Sequence, residues 1–237
     1  MDATLCRAMN VLSVDIGGTH VKLLASGETE IRKFASGLAL TPGAMVKTVK
    51  RLCADWPYEA ISMGYPGMVI HGHIALEPHN LGRGWIGFDF AGAFSCQVKI
   101  VNDAAMQALG SYEGQRMLFL GLGTGLGSAL IVDGLVEPME LAHLPYRKGR
   151  TYEEYIGAAG LKRLGKHKWR KHVWAVISLL SKALEPDYVV IGGGNARFLD
   201  EPPKNVRIGS NANAFTGGFR LWQDCLRRGS TIGRGLS

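Results

Sequence analysis

The chain has 237 residues, of which 46% are hydrophobic, 20% are charged and 32 are glycine. This composition excludes a disordered chain and a collagen-like fibre, and the length allows one large domain or two modest ones. Lys and Arg outnumber Asp and Glu by 27 to 20, which leaves a net charge of +7.

Short apolar runs separated by glycine and charged residues make up the first part of the chain. Residues 11–34 alternate between such runs and turns, which predicts an antiparallel meander whose third strand covers 30–34. Thr41 and Pro42 then begin a segment with apolar residues at helical spacing, so a helix follows. Two more strands, ending at Met63 and Val101, each run into polar or glycine residues. Such strand ends often contain the functional residues of α/β proteins.

The second half repeats this plan. Strands are predicted on both sides of a glycine-rich turn, followed by two helices and two further strands; the ranges are 117–120, 128–132, 152–164, 169–184, 187–191 and 206–208. Two halves that each begin with a hairpin indicate a duplicated architecture with the ligand between them. We place the boundary near Asp103, and residues 227–237 are expected to form a frayed tail.

The charge surplus is concentrated in one segment. Nine Lys or Arg residues lie between Arg147 and His172 against only Glu153 and Glu154, whereas the rest of the chain has eighteen residues of each sign. Such a block indicates a polyanionic partner or a solvated helix face. No stretch approaches the ~18 uninterrupted apolar residues of a membrane helix, and the N-terminus lacks the apolar core of a signal peptide. We therefore expect a cytoplasmic protein that binds no membrane.

The cysteines are far apart. Cys6, Cys53, Cys96 and Cys225 form no CxxC pair that would indicate a zinc or redox centre. Reduced thiols are the prediction.

Three glycine-rich turns each follow a predicted strand: DIGGT at 15–19, GLGTGLG at 121–127 and GGGN at 192–195. Glycine lets backbone N–H groups approach an anion closely, so such turns can bind phosphates, although each alone is also compatible with a simple tight hairpin. None matches the P-loop pattern GxxxxGK[ST]. Three such turns together favour a phosphate-binding protein.

These segments resemble those of a known superfamily. Residues 14–22, 121–127 and 189–194 resemble, in order and spacing, the two phosphate motifs and the adenosine motif of the sugar kinase and actin superfamily. Four other segments resemble the ROK family within it, and residues 146–157 are similar to its polyphosphate-dependent glucokinases in particular. The four are GYPG at 64–67, EPHNLG at 77–82 with Trp85, VNDA at 101–104 and ELAH at 140–143.

The resemblance implies a fold and a reaction. The expected fold is a two-lobed, duplicated ribonuclease-H-like (actin-like ATPase) α/β fold with a cleft between lobes 1–103 and 104–237. The expected reaction is phosphoryl transfer to O6 of glucose or a similar hexose from inorganic polyphosphate, from ATP or from both, with Mg²⁺. A homodimer is also implied. The basic segment 147–172 favours polyphosphate, because a long polyanion needs a positively charged surface.

The resemblance also implies site residues. Asp103 is the general base, and its place directly after a strand agrees with that role, although it is also suited to cap the helix 104–109. Asp15 binds Mg²⁺, through water. The implied sugar ligands are Asn80, Asn102, Glu140, His143 and Glu153. The implied phosphate ligands are Asp15, Gly17, Gly18, Thr19, Lys22, Gly123, Thr124 and Gly125. The implied nucleotide ligands are Gly192, Gly193 and Gly194.

Two departures from the family pattern limit these expectations. Residues 144–151 contain no cysteine, so no zinc is expected, and Ala142 stands where the family has glycine. The alternatives are a sugar-binding regulator without catalysis and an ATP-only kinase of another hexose. Nucleic acid is not an expected partner, because the basic segment matches no known nucleic-acid-binding motif.

Overall fold

A computed structural model describes residues 9–210 and 212–223. These residues fall into two units, one within Met1–Val101 plus Gly218–Trp222 and the other within Asn102–Gly217. Cys6, Cys225 and the expected tail 227–237 lie outside the described residues. Cys53 and Cys96 are free thiols, and burial raises the pKa of the Cys53 thiol to about 11.

The first unit contains a five-stranded sheet, a two-stranded hairpin and two helices. The sheet strands are β1 (Val11–Ile16), β2 (His20–Ala25), β3 (Arg32–Ala35), β4 (Ala60–Tyr65) and β7 (Gln97–Asn102); the hairpin is β5 (Val69–Ile70) and β6 (His73–Ile74); the helices are α1 (Pro42–Leu52) and α2 (Phe90–Phe94). The strand order is β3-β2-β1-β4-β7. The first three strands are antiparallel neighbours, and β1 pairs in parallel with β4.

Burial explains why β1 and β4 form the centre of this sheet. All six residues of each strand are buried, which is typical of central strands covered on both faces. The predicted meander is confirmed, but its third strand begins at Arg32, because β2 pairs with β3 only from Arg32 to Ala35. The predicted start of α1 is also confirmed, since Thr41 accepts a hydrogen bond from Ala44 N at 3.4 Å and Pro42 is the first helical residue.

The second unit repeats the sheet and adds longer helices. Its sheet strands are β8 (Arg116–Leu122), β9 (Leu126–Val132), β10 (Leu135–Met139), β13 (Tyr188–Gly192) and β14 (Val206–Ile208), and a small hairpin is formed by β11 (Pro145–Arg147) and β12 (Arg150–Thr151). Its helices are α3 (Asp103–Ser111), α4 (Tyr152–Ile156) and α5 (Ala158–Leu184), with short 3-10 turns at Leu141–His143 and Ala196–Phe198. A further helix, α6 (Asn213–Arg220), begins in this unit, and its residues from Gly218 onward belong to the first.

The two sheets follow one plan. In the second the order is β10-β9-β8-β13-β14, with an antiparallel meander of β8, β9 and β10 and with β13 parallel to β8. Each sheet therefore has a glycine turn between its first two strands and a parallel strand on the other side of the first. The duplicated α/β architecture predicted from the sequence is the one observed.

The helical region differs from its prediction in two places. The predicted helix 152–164 is interrupted at Gly157, whose extended backbone ends α4 and precedes α5. Within α5, Gly165 has φ 71° and ψ 159°, a left-handed conformation that interrupts the helix, so the second predicted helix begins just after Gly165. The predicted apolar stripe is buried at Trp169 and Val173 and continues toward Leu184.

Residues Gly218–Trp222 correct the predicted division of the chain, which assigned all of 104–237 to the second lobe. They belong to the first unit. Trp222 Nε1 donates to Ser62 Oγ at 2.9 Å, and that hydroxyl donates to the carbonyl of Gly218. The buried strand β4 thus obtains a partner for its Ser62 side chain from the distant end of the chain, a pairing that local patterning does not reveal.

None of the helices in the described ranges combines the length and apolar character that crossing a bilayer would require.

Candidate active site

The first glycine turn joins β1 to β2 in the first unit. Gly17 N donates to the carbonyl of His20 at 3.0 Å, which closes the turn, and Ser36 Oγ donates to the Gly17 carbonyl at 2.6 Å. Thr19 is exposed, with its Oγ1 3.3 Å from His20 Nδ1. The tight hairpin and the phosphate-binding interpretation of this turn are therefore compatible, since the closed turn still presents Thr19 at the surface.

Asp15 and Lys22 lie opposite each other on β1 and β2 beside this turn. They are paired residues in the antiparallel register, and Lys22 Nζ is 3.6 Å from Asp15 Oδ2. Burial raises the pKa of Asp15 above its ordinary value, and the Lys22 ammonium opposes that rise. The Asp15 side chain is 8% exposed and that of Lys22 38%. The pair therefore combines a buried carboxylate with a cation that reaches solvent.

The residues at this turn fit the implied Mg²⁺. The ion usually binds through one or two carboxylates and substrate phosphates while keeping several waters. Asp15 supplies one carboxylate beside the glycine turn, and no other acid is needed for a water-mediated contact of this kind.

Asn80 lies in a loop that approaches the first glycine turn. A β-carbon added to Gly18 would be 3.5 Å from the Asn80 side chain. The loop is stabilised by Glu77, whose carboxylate accepts hydrogen bonds from the backbone N–H groups of Gly84 and Trp85. Burial opposes the ionised form of Glu77, yet these backbone donors hold its pKa below the ordinary value. An implied sugar ligand and an implied phosphate turn are thus neighbours in the first unit.

The second glycine turn, between β8 and β9, is in contact with Glu153. Leu126 N donates to Glu153 Oε2 at 3.2 Å, and a β-carbon at Gly125 would lie 2.2 Å from the same oxygen. A side chain at position 125 would therefore displace the Glu153 carboxylate from its present position. Glu153, predicted as a sugar ligand, lies against a predicted phosphate turn, where its carboxylate fixes the backbone of that turn.

The glycine run after β13 packs on the same turn. Asn195 Nδ2 donates to the Gly123 carbonyl at 2.8 Å, and Asn195 N donates to the Leu122 carbonyl at 2.9 Å. Gly193 has φ 82°, and a β-carbon there would be 2.5 Å from the Leu122 carbonyl oxygen. In the implied nucleotide segment, the positive φ and the nearby Leu122 carbonyl explain why residue 193 is glycine. Gly194, by contrast, has open space around its β-carbon position.

Asp103 is the first residue of α3, and Asn102 is its cap. Asn102 Oδ1 accepts hydrogen bonds from Ala104 N at 2.9 Å and Ala105 N at 3.2 Å. The alternative role of Asp103 as the cap is therefore taken by the residue before it, although Asp103 Oδ1 also accepts from Ala104 N at 2.8 Å. Asp103 is half-buried, and the positive end of the helix dipole stabilises negative charge at this position. Helix α3 packs against β9, the strand that leaves the second glycine turn.

Glu140 and His143 are brought together by the 3-10 turn Leu141–His143. His143 Nε2 is 3.9 Å from Glu140 Oε2. Both side chains are exposed, that of His143 at 75% and that of Glu140 at 56%. Ser128 Oγ orients the turn by accepting from Leu141 N at 3.3 Å. Across residues 9–210 and 212–223 no three His, Cys, Asp or Glu side chains are grouped as a metal site would need.

A sequence profile of the ROK family matches residues 11–137, more than half of the chain. The chain belongs to the ROK family. The resemblance found in the motifs is confirmed, and the polyphosphate glucokinase relative described next bears out the prediction of a sugar kinase.

Proteins similar to this chain in sequence or in structure support its membership of the ROK family. A polyphosphate glucokinase of Mycobacterium tuberculosis is 29% identical over 211 residues, which cover 79% of this chain and 78% of the relative. The crystal structure of an inorganic polyphosphate/ATP-glucomannokinase from Arthrobacter sp. strain KM matches with a TM-score of 0.75 at 23% identity, covering 90% of this chain and 98% of that one. A ROK family glucokinase from Streptomyces griseus, solved with glucose and AMPPNP, matches with a TM-score of 0.71 at 15% identity, covering 90% and 98%. The two structures share the fold of this chain.

Two supporting residues were missed at the level of sequence. Glu77 and Asn195 belong to motifs that the sequence identified, but no role was assigned to either. A carboxylate shortly before a glycine-containing loop is the only local sign of Glu77, and an amide directly after a glycine run is the only sign of Asn195. Their partners are backbone groups 7 and 72 positions away, which a motif does not specify.

Proposed function

We propose that this ROK-family sugar kinase transfers the terminal phosphoryl group of inorganic polyphosphate or ATP to O6 of glucose. The observation that supports it most directly is the position of Asp103, which begins a helix packed on the strand leaving a glycine-rich turn. A carboxylate there can accept the proton of a sugar hydroxyl. Family membership and the polyphosphate glucokinase relative support the same reaction.

Asp103 acts as the general base. Its carboxylate takes the proton from the O6 hydroxyl as that oxygen attacks the terminal phosphorus of the donor. A bond forms between O6 and phosphorus, the bond to the bridging oxygen breaks, and the shortened donor leaves with the electron pair. Asn102 caps the helix and so fixes the orientation of the residue that follows it.

The glycine turns bind the donor phosphates. Phosphoryl transfer depends mainly on positioning and on neutralising negative charge, so backbone N–H groups and nearby cations contribute most. We assign this role to Gly17, Gly18, Thr19 and Lys22 in the first unit and to Gly123, Thr124 and Gly125 in the second. When bound, Mg²⁺ neutralises charge on the phosphates, and Asp15 is the residue we assign to it.

The sugar is bound by amide, carboxylate and imidazole groups. We assign Asn80, Asn102, Glu140, His143 and Glu153 to its hydroxyls, because each offers a planar donor or acceptor. Glu140 and His143 support this assignment best, since their side chains are adjacent and exposed. For Glu153 the contact with Leu126 N suits a carboxylate that links the sugar to the phosphate turn.

The donor assignment includes both compounds. The nine cations of 147–172 support polyphosphate, and the glycine run Gly192, Gly193 and Gly194 supports ATP. We further propose a homodimer.

Donor assays test the proposal directly. The full chain, Mg²⁺ and glucose are incubated with either ATP or long-chain polyphosphate, and the product is identified by phosphorus NMR. Glucose 6-phosphate is expected with at least one donor. Phosphorylation at another hydroxyl would contradict the O6 assignment, and no phosphorylated sugar with either donor would favour a sugar-binding regulator.

A further inference from the structure

A cavity of about 300 Å³ in the second unit lies largely within the basic segment 147–172 and outside the residues assigned to the sugar, to Mg²⁺ and to the glycine turns. Its lining consists of Tyr146, Arg147, Lys168, Lys171, His172 and Ala175. Four of these, Lys168, Lys171, His172 and Ala175, follow the i, i+3, i+4, i+7 spacing of one helix face. That face of α5 lies against the hairpin strand β11, which supplies the other two. The cavity thus has a wall from each of two elements.

The charge of this cavity is of one sign. Arg147, Lys168 and Lys171 are cations, and among the described residues no ion pair joins any of them to a carboxylate. By contrast, Arg170 on the same helix pairs with Asp200 at 2.6 Å. The three exposed cations give this concave surface a positive potential, which attracts an anion.

His172 is held in place at the edge of this charge cluster. Its Nδ1 is 3.2 Å from the Tyr146 hydroxyl, and its ring packs on the rings of Tyr146 and Tyr155 with centroids 5.7 and 4.7 Å apart. Burial, Arg147 and Arg163 together lower the pKa of His172 below the ordinary value. The groups that face it are therefore Tyr146 and Arg147 from β11, Tyr155 from α4, and the cations of its own helix.

We propose that this cavity, which we call the Arg147 pocket, binds an anion containing two linked phosphate groups. Three cations exceed the charge of a single phosphate dianion, whereas a diphosphate balances them. The volume is that of a small-ligand site. Arg147 offers a planar, forked donor, and Lys168 and Lys171 are compact charges that adapt to the oxygens of the second phosphate. The inference concerns binding alone and holds whichever donor the kinase uses.

His172 links this binding to pH. In the free protein its neutral form is favoured, because the imidazolium would be a further positive charge in a cationic, partly buried place. A bound anion favours the imidazolium and raises the His172 pKa, so anion affinity should rise as pH falls through that pKa.

The first experiment measures pyrophosphate binding to the full chain by calorimetry at pH 7.5, without sugar or Mg²⁺. Arg147→Ala, Lys168→Ala and Lys171→Ala should each weaken binding about tenfold, the effect of losing one charge-assisted hydrogen bond. Lys182→Ala is the matched control, because Lys182 is an exposed cation of α5 that lies outside the segment 147–172 and does not line the pocket. Equal losses in control and pocket variants, or none in the pocket variants, would overturn the proposal.

The second experiment follows the His172 ring by NMR with sulfate, whose charge is constant over the range used. Sulfate should raise the His172 pKa, and His172→Gln should abolish the pH dependence of sulfate affinity. An unchanged His172 titration would refute the link to pH.

Competition identifies the source of the two phosphates. Displacement of bound pyrophosphate by long-chain polyphosphate would assign the pocket to a phosphate chain, and displacement by ADP would assign it to a nucleotide. Failure of both, or orthophosphate binding as tightly as pyrophosphate, would overturn the diphosphate assignment. Since glucose phosphorylation with ATP is measured separately, loss of binding here leaves the proposed reaction untouched.

Discussion

Three carboxylates that we assign to the site have different local surroundings. Asp15 is buried beside the first glycine turn, and the Lys22 ammonium is its charge partner. Asp103 begins α3, where the helix dipole favours negative charge. Glu153 is fixed by the backbone N–H of Leu126. Each lies next to a turn or a helix start, where backbone N–H groups are available.

Replacing Asp103 tests its role as the base. Asp103→Asn keeps the size of the side chain but cannot accept the sugar proton, so turnover should fall by roughly 10²- to 10⁴-fold while the glucose KM changes little. Asp133→Asn is the control, because Asp133 lies in the turn after β9 with φ 50°, a conformation that Asn also tolerates. Steady-state kinetics would decide, and wild-type turnover in Asp103→Asn would rule out the assignment.

Glu140 and His143 should act mainly on sugar affinity. Changing either to Ala removes a hydrogen bond worth about 0.5 to 3 kcal/mol, so the glucose KM should rise several-fold or more. Glu137→Ala removes a carboxylate that is also exposed, on the neighbouring strand β10, and should leave the glucose KM unchanged. Kinetics at saturating donor would measure the effect. A similar KM in all three variants would exclude these residues as sugar ligands.

Elements were predictable where the pattern was local. The meanders, the start of α1 and the buried face of α5 follow from apolar periodicity and capping residues, and all are observed. The break between the predicted helices 152–164 and 169–184 is observed at Gly165, whereas the interruption at Gly157 was not predicted. The φ of 71° at Gly165 is a backbone conformation that apolar periodicity alone does not specify.

The Gly165 interruption yields a stability prediction. With φ 71° and ψ 159°, Gly165 occupies a region that side chains avoid, so Gly165→Ala should lower the free energy of unfolding by about 1 to 3 kcal/mol. Gly43→Ala is the matched control, since Gly43 is helical in α1 and a β-carbon there meets nothing within 4 Å. The control should be neutral or stabilising by up to about 1 kcal/mol. Urea unfolding of both variants measures the difference, and equal midpoints would contradict the backbone argument.

At the scale of the whole molecule, the surplus of positive charge is confined to one segment of the second unit. The structure divides that segment into groups with different surroundings. Arg163 donates to the Glu154 carbonyl at 2.8 Å, Lys166 lies 4.5 Å from the centre of the Phe198 ring, and Lys168 lines the Arg147 pocket. The number of charges in the sequence therefore does not show that these cations have different surroundings on the folded chain.

Salt should discriminate between the two donors. Contacts between exposed cations and a long polyanion release counterions, so phosphorylation with long polyphosphate should fall steeply with salt while phosphorylation with ATP changes little. Neutralising Lys162, Arg163, Lys166 and Lys168 to Gln should raise the KM for polyphosphate selectively. Initial rates with each donor at several salt concentrations test both points. A quadruple variant that uses both donors like the parent would make the segment an ordinary solvated surface.

The family and the class of reaction could be predicted from short motifs. Glycine turns and acids at strand ends depend on backbone geometry that a few adjacent residues specify. The groups that those residues contact in the folded chain could not be predicted from the motifs. Asn102 rather than Asp103 caps α3, Glu153 supports the second glycine turn, and Gly218–Trp222 completes the first unit. Each of these depends on contacts between groups distant in sequence or on a choice between adjacent polar residues, and only packing of the folded chain makes that choice.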